Sequence, residues 1–141
     1  MKKTTIKGVN YYPHSNGGGL VAETATVSET AYIGPNARVH KQAKIWGNAK
    51  ICENAEVSDN AKVTDNARVS GEATVSGEAT VSGAATVSGN AEVYEDAEVW
   101  GNAKVFGDAK VHGDAKVSGN AEVYEDAEVR SNAEVSGDAE V

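Results

Sequence analysis

The sequence predicts an all-β solenoid that is built from one six-residue unit. Every sixth residue from Val21 to Val141 is Val, apart from three Ile, and the residue two positions earlier is Ala from Ala25 onward. Residues two apart on an extended chain point to the same side, so Ala and Val share one buried face. Gly, Asn and Asp between them tolerate the left-handed backbone conformation of a corner. Each hexad is therefore a short strand followed by a corner, and equivalent hexads stack into coils.

Other repeating structures fit this pattern poorly. Inward positions at i and i+2 that recur every six residues match no stripe with a period of 3.6, so an α-helix is excluded. A meander of two-residue hairpins needs alternating strand directions, whereas all hexads here are equivalent.

The hexads also carry a family resemblance. Val111-His-Gly-Asp-Ala-Lys and Val117-Ser-Gly-Asn-Ala-Glu follow the pattern Val-x-Gly-Asn/Asp-Ala-x. This pattern resembles the hexapeptide repeat of left-handed parallel β-helix proteins, the LpxA-like superfamily, over residues 21–141. The resemblance implies a triangular solenoid with three hexads in each coil, and it alone implies the left-handed winding. Counted from Asn16, the chain would form about seven coils.

The chain divides into an N-terminal cap segment, residues 1–20, and the hexapeptide-repeat β-helix, residues 21–141. Four apolar residues outside the repeat are candidates for covering the first coil: Ile6, Val9, Tyr11 and Tyr12. An uncovered coil would expose unpaired strand edges. Pro13 and the glycines at 17–19 then interrupt regular structure. The last residue, Val141, is a core position, which is compatible with a longer array, a stacked end or a frayed coil.

The net charge of −8 is unevenly distributed. Residues 1–70 contain nine Lys/Arg and six Asp/Glu, and residues 71–141 contain four and fifteen. The acidic second half argues against nucleic acid binding there. It is explained by acidic corners that keep the rod soluble, or by a dipolar rod that meets partners or itself head to tail.

Targeting features are not apparent. Lys2 and Lys3 are followed by polar residues, and no apolar stretch reaches the length of a membrane span. The single Cys52 cannot form an intrachain disulfide. A cytoplasmic protein without membrane contact is therefore expected.

The outward residues that follow each core Val or Ile were assigned to three faces of the prism. One face carries His40, Ser58, Ser76, Tyr94, His112 and Arg130. The next carries Trp46, Thr64, Ser82, Trp100 and Ser118. The third carries Tyr32, Cys52, Ser70, Ser88, Phe106 and Tyr124.

Exposed aromatic residues often mark contacts between subunits, although they can also simply cover the core from outside. The candidates for an interface are Tyr32, Cys52, Phe106, Tyr124, Tyr94 and Trp100. The third face is the most apolar, and many LpxA-like proteins are trimers. The resemblance therefore implies a homotrimer contact there.

The sequence offers few groups of residues that could form a catalytic or metal-binding site. His40 and His112 lie four coils apart, roughly 19 Å at strand spacing, so no single metal ion can bind both. His14 lies in the cap segment. Neither a metal nor a cofactor is expected, and Cys52 has no base beside it in its stack. The acyltransferases of the resembling superfamily usually have an extruded loop and a C-terminal segment at the active site, and this sequence has neither.

An internal duplication ignores the three-hexad coil. The segment 90–99 recurs unchanged at 120–129, an offset of five hexads, so the two copies fall on different faces. A duplication that moves outward residues to another face is easier to reconcile with a scaffold than with a functional site whose residues must stay on one face.

These observations favour a non-catalytic assembly or interaction module, bacterial or phage-encoded, that acts through oligomerisation (trimer or end-to-end) or a protein partner. The alternative is an LpxA-like acyltransferase, or a degenerate relative, with an intersubunit active site near His40 or His112. A weaker alternative is an acidic module that imitates nucleic acid through Glu95, Asp96, Glu125 and Asp126.

Overall fold

The computed structural model describes residues 3–141, and these residues contain strands and corners but no helix. The cap segment and first coil contain β1 (Thr4–Ile6), β2 (Val9–Pro13), β3 (Leu20–Ala22), β4 (Thr26–Val27) and β5 (Tyr32–Ile33). The following strands are β6 (Arg38–Val39), β7 (Lys44–Ile45), β8 (Lys50–Ile51), β9 (Glu56–Val57), β10 (Lys62–Val63), β11 (Arg68–Val69), β12 (Thr74–Val75), β13 (Thr80–Val81) and β14 (Thr86–Val87). The second half contains β15 (Glu92–Val93), β16 (Glu98–Val99), β17 (Lys104–Val105), β18 (Lys110–Val111), β19 (Lys116–Val117), β20 (Glu122–Val123), β21 (Glu128–Val129) and β22 (Glu134–Val135).

Every third strand joins the same sheet, which makes the solenoid triangular. Sheet A runs β1-β2-β3-β6-β9-β12-β15-β18-β21, sheet B runs β4-β7-β10-β13-β16-β19-β22, and sheet C runs β5-β8-β11-β14-β17-β20. The solenoid strands pair in parallel and in exact hexad register; Val63, for example, lies between Ile45 and Val81. The predicted all-β solenoid of stacked hexapeptide coils is thus confirmed.

The core is a column of the repeated Ala and Val or Ile side chains. From Ala31 to Val123 every one of them is at most 1% exposed. Burial of one Val contributes about 1.5–3 kcal/mol, so a narrow column can stabilise the rod without large aromatic residues. Because both inward positions of each hexad are filled, the core has no room for a ligand, and chemistry is confined to the outer surface.

The corners depend on one residue with positive φ, two positions after the core Val or Ile. It is often Gly, as at Gly77 (φ 64°), where an added Cβ would lie 2.7 Å from the amide nitrogen of Glu95. Five corners have a carboxylate there instead, and four of these carboxylates accept a hydrogen bond from a glycine amide one coil further on, at 2.9–3.1 Å. The pairs are Glu53 with Gly71, Asp59 with Gly77, Asp65 with Gly83, and Glu95 with Gly113.

The solenoid makes about six turns, so the estimate of seven coils is too high. Residues 14–19 do not form a hexad strand; they form a loop over sheet C in which Ile33 donates to Asn16 and Gly19 donates to Ile33. Beyond Val135, the residues hydrogen-bond to the preceding coil, and their strand pairing is an isolated bridge between Glu122 and Glu140. The count fails at the N-terminal end because residues 14–19 form a loop where a hexad strand was expected.

The cap segment extends sheet A with two antiparallel strands. β1 pairs with β2, and β2 pairs with β3, where Tyr11 lies opposite Ala22 and Tyr12 opposite Val21. Successive side chains of a strand alternate between its faces. Tyr11 accordingly lies on the outer surface and is 7% exposed, whereas Tyr12 belongs to the inner side.

Ile6 and Val9 lie in the β1–β2 hairpin, where Ile6 is half-buried and Val9 is 37% exposed. These two residues line a groove on the outer side of sheet A together with Tyr11 and His40. The cap segment thus covers strand edges of sheets A and C.

Candidate functional site

The structure corrects one position in the predicted surface stacks. Tyr32 pairs with Lys50, and Ile33 pairs with Ile51, so the residue equivalent to Cys52 is Gly34. Tyr32 comes before its core residue, whereas Cys52 comes after its own. The two side chains nevertheless line the same groove on sheet C.

His40 joins the cap segment to the solenoid. The Tyr11 hydroxyl lies 2.7 Å from His40 Nδ1, and the two rings meet edge to face with centroids 5.6 Å apart. On the other side of the ring, His40 Nε2 lies 3.3 Å from Glu56. A neutral imidazole that donates from Nε2 to Glu56 and accepts from Tyr11 at Nδ1 satisfies all three groups. Both ring nitrogens are therefore occupied.

His112 has a comparable environment in the acidic half. Its ring stacks on Tyr94 with centroids 4.7 Å apart and an interplanar angle of 8°. Nδ1 lies 3.2 Å from Glu95, and Nε2 lies 3.9 Å from Glu128. His112 thus lies between a carboxylate of the coil before its own and one of the coil after it, and the same Glu95 side chain also accepts from the Gly113 amide.

The aromatic residues of the second half surround one coil. Tyr94, Trp100 and Phe106 follow the consecutive strands β15, β16 and β17, one in each sheet. Phe106 stacks on Tyr124 in sheet C with centroids 5.4 Å apart and an angle of 11°. Trp100 is 36% exposed. The structure confirms that Tyr124 lies one coil beyond Phe106, whereas Tyr94 and Trp100 lie on other sheets.

The first half of sheet C contains a surface groove of about 840 Å³. It is lined by Asn16, Thr30, Tyr32, Asn48, Lys50, Cys52, Asn66 and Arg68. Partial burial raises the pKa of the Cys52 thiol, although Lys50 and Arg68 beside it act in the opposite direction. The thiol is therefore protonated at neutral pH, which makes it a poor nucleophile.

Other chemical features are sparse. Residues 3–141 contain no group of three or more His, Cys, Asp or Glu side chains that could hold a metal ion. In the same residues, no helix is long and apolar enough to cross a membrane.

The duplicated segments do lie on different sheets. In the first copy Tyr94 follows β15 of sheet A, and in the second copy Tyr124 follows β20 of sheet C. Their neighbours differ accordingly, since Tyr94 stacks on a histidine and Tyr124 on a phenylalanine. The Tyr124 hydroxyl donates to Glu140, and this hydrogen bond raises the pKa of the phenol.

Comparison with known proteins supports the fold but gives no activity. A family model described as the YdcK β-solenoid repeat matches residues 67–83, about one coil of the chain. No curated protein sequence matches the chain. The strand order, the buried Ala and Val column and this match lead to one conclusion: the chain is a hexapeptide-repeat β-solenoid protein.

Proposed function

We propose that this chain is a non-catalytic, rigid assembly module that associates with itself through the aromatic residues on sheet C. The observation that carries the proposal is the stacked pair of Phe106 and Tyr124 on the outer face of sheet C. Strands β11 and β14 of the same sheet have Ser70 and Ser88 at the equivalent position. Two aromatic rings where serine fits the fold equally well indicate a contact surface rather than a packing requirement.

The uniform shape of the solenoid supports the same proposal. Every strand from β4 to β22 contains two residues, and every corner between them has the same length. A rod of this kind holds its ends and faces at fixed distances, which is what a spacer or assembly unit needs. The copied segments at 90–99 and 120–129 keep the core pattern while their outward residues occupy different sheets.

The engaged histidines weigh against the alternative, acyl transfer. A general base needs a nitrogen within reach of the proton that it removes. His40 has Tyr11 and Glu56 as partners, and both nitrogens of His112 face carboxylates. Calorimetric titration with an acyl-CoA tests this alternative directly, because measurable binding would favour the enzyme.

Light scattering after size exclusion, over a range of concentrations, tests self-association. We expect a homotrimer, whose mass is three times the 14.6 kDa of one chain. The double variant Phe106→Ser/Tyr124→Ser introduces a residue that sheet C already accommodates, and it should shift the mass towards the monomer.

Trp46→Ser is the matched control for this experiment. Trp46 is 41% exposed but lies on sheet B, so its replacement should leave the assembly unchanged. A wild-type monomer at all concentrations, or a double variant with the same mass as the wild type, would refute self-association through sheet C.

A further inference from the structure

The outward charges of the solenoid alternate in its second half. Neighbouring strands place opposite charges directly beside each other in all three sheets. The ladders are Glu92, Lys110 and Glu128 in sheet A; Glu98, Lys116 and Glu134 in sheet B; and Lys104 with Glu122 in sheet C, where the last bridge then places Glu140 beside Glu122. Opposite charges at paired positions stabilise a sheet.

The first half breaks this rule on sheet B, where Lys44 pairs with Lys62, and on sheet C. Lys50 of β8 pairs directly with Arg68 of β11, so two cations lie side by side. Within the part of the chain that the structure describes, no carboxylate lies within 4.0 Å of either side chain as a salt-bridge partner. Like charges at paired positions destabilise a sheet, so the arrangement has a cost that a bound anion would remove.

The residues that line the groove around this pair include donors and no acids, although Glu53 beside the groove raises the pKa of Cys52. The eight residues that line the groove include no Asp or Glu, in a chain that has 21 of them. Asn48 and Asn66 lie on the edge between sheets B and C, and their amides add donors to the two cations. The Tyr32 ring and the Cys52 side chain complete the groove with less polar surface.

We propose that the groove between Lys50 and Arg68 binds the phosphoryl group of a small molecule. A planar guanidinium can hold two oxygens, and an ammonium supplies a point charge to a third. With the two asparagine amides, the groove offers more donors than the two oxygens of a carboxylate can use, but they match a phosphoryl group with three terminal oxygens. The Tyr32 and Cys52 side chains would contact the remainder of the molecule. Phe106 and Tyr124, on which the self-association proposal rests, do not line this groove.

Cys52 provides a readout at the site itself, because it is the chain's single cysteine and lines the groove. The rate of its alkylation by iodoacetamide is measured by intact mass at increasing pyrophosphate, with ionic strength held constant by sodium chloride. We expect saturable protection, with a rate about tenfold lower at ten times the dissociation constant. Lys50→Gln and Arg68→Gln should each weaken protection by about tenfold or more, the usual effect of losing one charge-assisted hydrogen bond.

Lys44→Gln and Lys62→Gln are the matched controls. These two lysines form the equivalent same-sign pair on sheet B and do not line the groove, so protection should remain as in the wild type. Circular dichroism verifies that each variant is folded. Citrate, a polycarboxylate, is compared with pyrophosphate at equal charge.

Three results would overturn the proposal. The first is an alkylation rate that does not respond to pyrophosphate. The second is equal protection by citrate, which would mean that the groove does not select phosphoryl groups. The third is protection that survives loss of Lys50 and Arg68 or disappears with Lys44 and Lys62, which would place the anion elsewhere.

Discussion

Single residues decide where the cap segment attaches. The small side chain of Ala22 lies between Tyr11 and His40 on the outer surface, so the tyrosine ring passes over it and reaches the histidine. Ala22 is 1% exposed although it points outward, because the Tyr11 ring covers it. A larger residue at position 22 would separate the two rings.

Tyr11→Phe should destabilise the protein by about 1 kcal/mol, because it removes the hydroxyl that satisfies His40 Nδ1 and leaves the ring in place. Urea unfolding followed by circular dichroism measures the change in the midpoint. Tyr12→Phe, at the next position of β2, is the matched control and should have a smaller effect. Equal midpoints for wild type and Tyr11→Phe would show that the bond makes no net contribution.

The sequence identifies such residues but not their contacts. Tyr11 is predictable as part of a cap, and His40 as an outward residue. The contact between Tyr11 and His40 depends on the antiparallel pairing of β2 with β3. The loop at 14–19 sets this pairing, and its sequence has no repeat pattern. The wrong assignment of Tyr32 to the stack of Cys52 has a different cause. Counting from the neighbouring core residue, Ile33, would have placed Gly34 in that stack.

At the scale of the single element, the corner is stabilised across coils. A carboxylate with positive φ occupies five corners, and four of these carboxylates accept a hydrogen bond from a glycine amide of the next coil. An L-residue pays for positive φ, and a charge-assisted hydrogen bond offsets that cost. At Gly77, which follows Asp59 in the stack, an added Cβ would lie 2.7 Å from the amide nitrogen of Glu95 in the coil after it.

This rule is present in the sequence, although the repeat pattern alone does not predict it. Each carboxylate at 53, 59, 65 and 95 is followed by glycine at the same corner of the next coil, at 71, 77, 83 and 113. The left-handed corner could be predicted from Gly, Asn and Asp. The hydrogen bond between carboxylate and glycine could not be predicted, because the sequence does not show which corner amide faces the preceding coil.

The corner carboxylate of Asp59 should give a pH-dependent contribution to stability. The hydrogen bond from the Gly77 amide, followed by that from Lys41, lowers the pKa of Asp59 below 3.8. Because the folded pKa is lower than the unfolded one, the contribution is fully present above the unfolded value. It is lost as the pH falls through the folded value.

Thermal unfolding of Asp59→Asn and wild type over an acidic pH series measures this contribution. The variant should melt at a lower temperature at neutral pH, and the difference should shrink as the pH falls below about 3.8. Asp96→Asn, on the same edge of the prism, is the control variant and should melt close to the wild type throughout. A difference for Asp59→Asn that does not depend on pH would contradict an ionised carboxylate as its cause.

At the scale of the whole molecule, the period of six determines the fold and leaves the faces free. The buried column was predictable from the count of equivalent hexads, whereas the three sheets were expected from the resemblance, which implies three hexads in each coil. The path of the cap segment was not predictable, because residues 1–20 lie outside the repeat. The identity of each face is also not fixed by the core, since any hexad fits any sheet.

This separation of core and face leads to a prediction about deletions. Removal of one hexad, residues 82–87, joins Val81 to Ser88 and keeps the Ala and Val register, but it moves Phe106 and Tyr124 from sheet C to sheet B. Removal of one coil, residues 82–99, also keeps the register and returns both rings to sheet C. Each deletion leaves glycine after the carboxylates at 53, 59 and 65, so both variants should fold, with parallel-sheet circular dichroism like that of the wild type.

Self-association should distinguish the two deletions. If the contact requires Phe106 and Tyr124 on sheet C, the one-hexad deletion should be monomeric by light scattering. The one-coil deletion should keep the oligomeric state of the wild type although it loses three times as many residues. The opposite order, with assembly kept after loss of one hexad and lost after loss of one coil, would mean that contact depends on rod length or on Tyr94 rather than on alignment along sheet C.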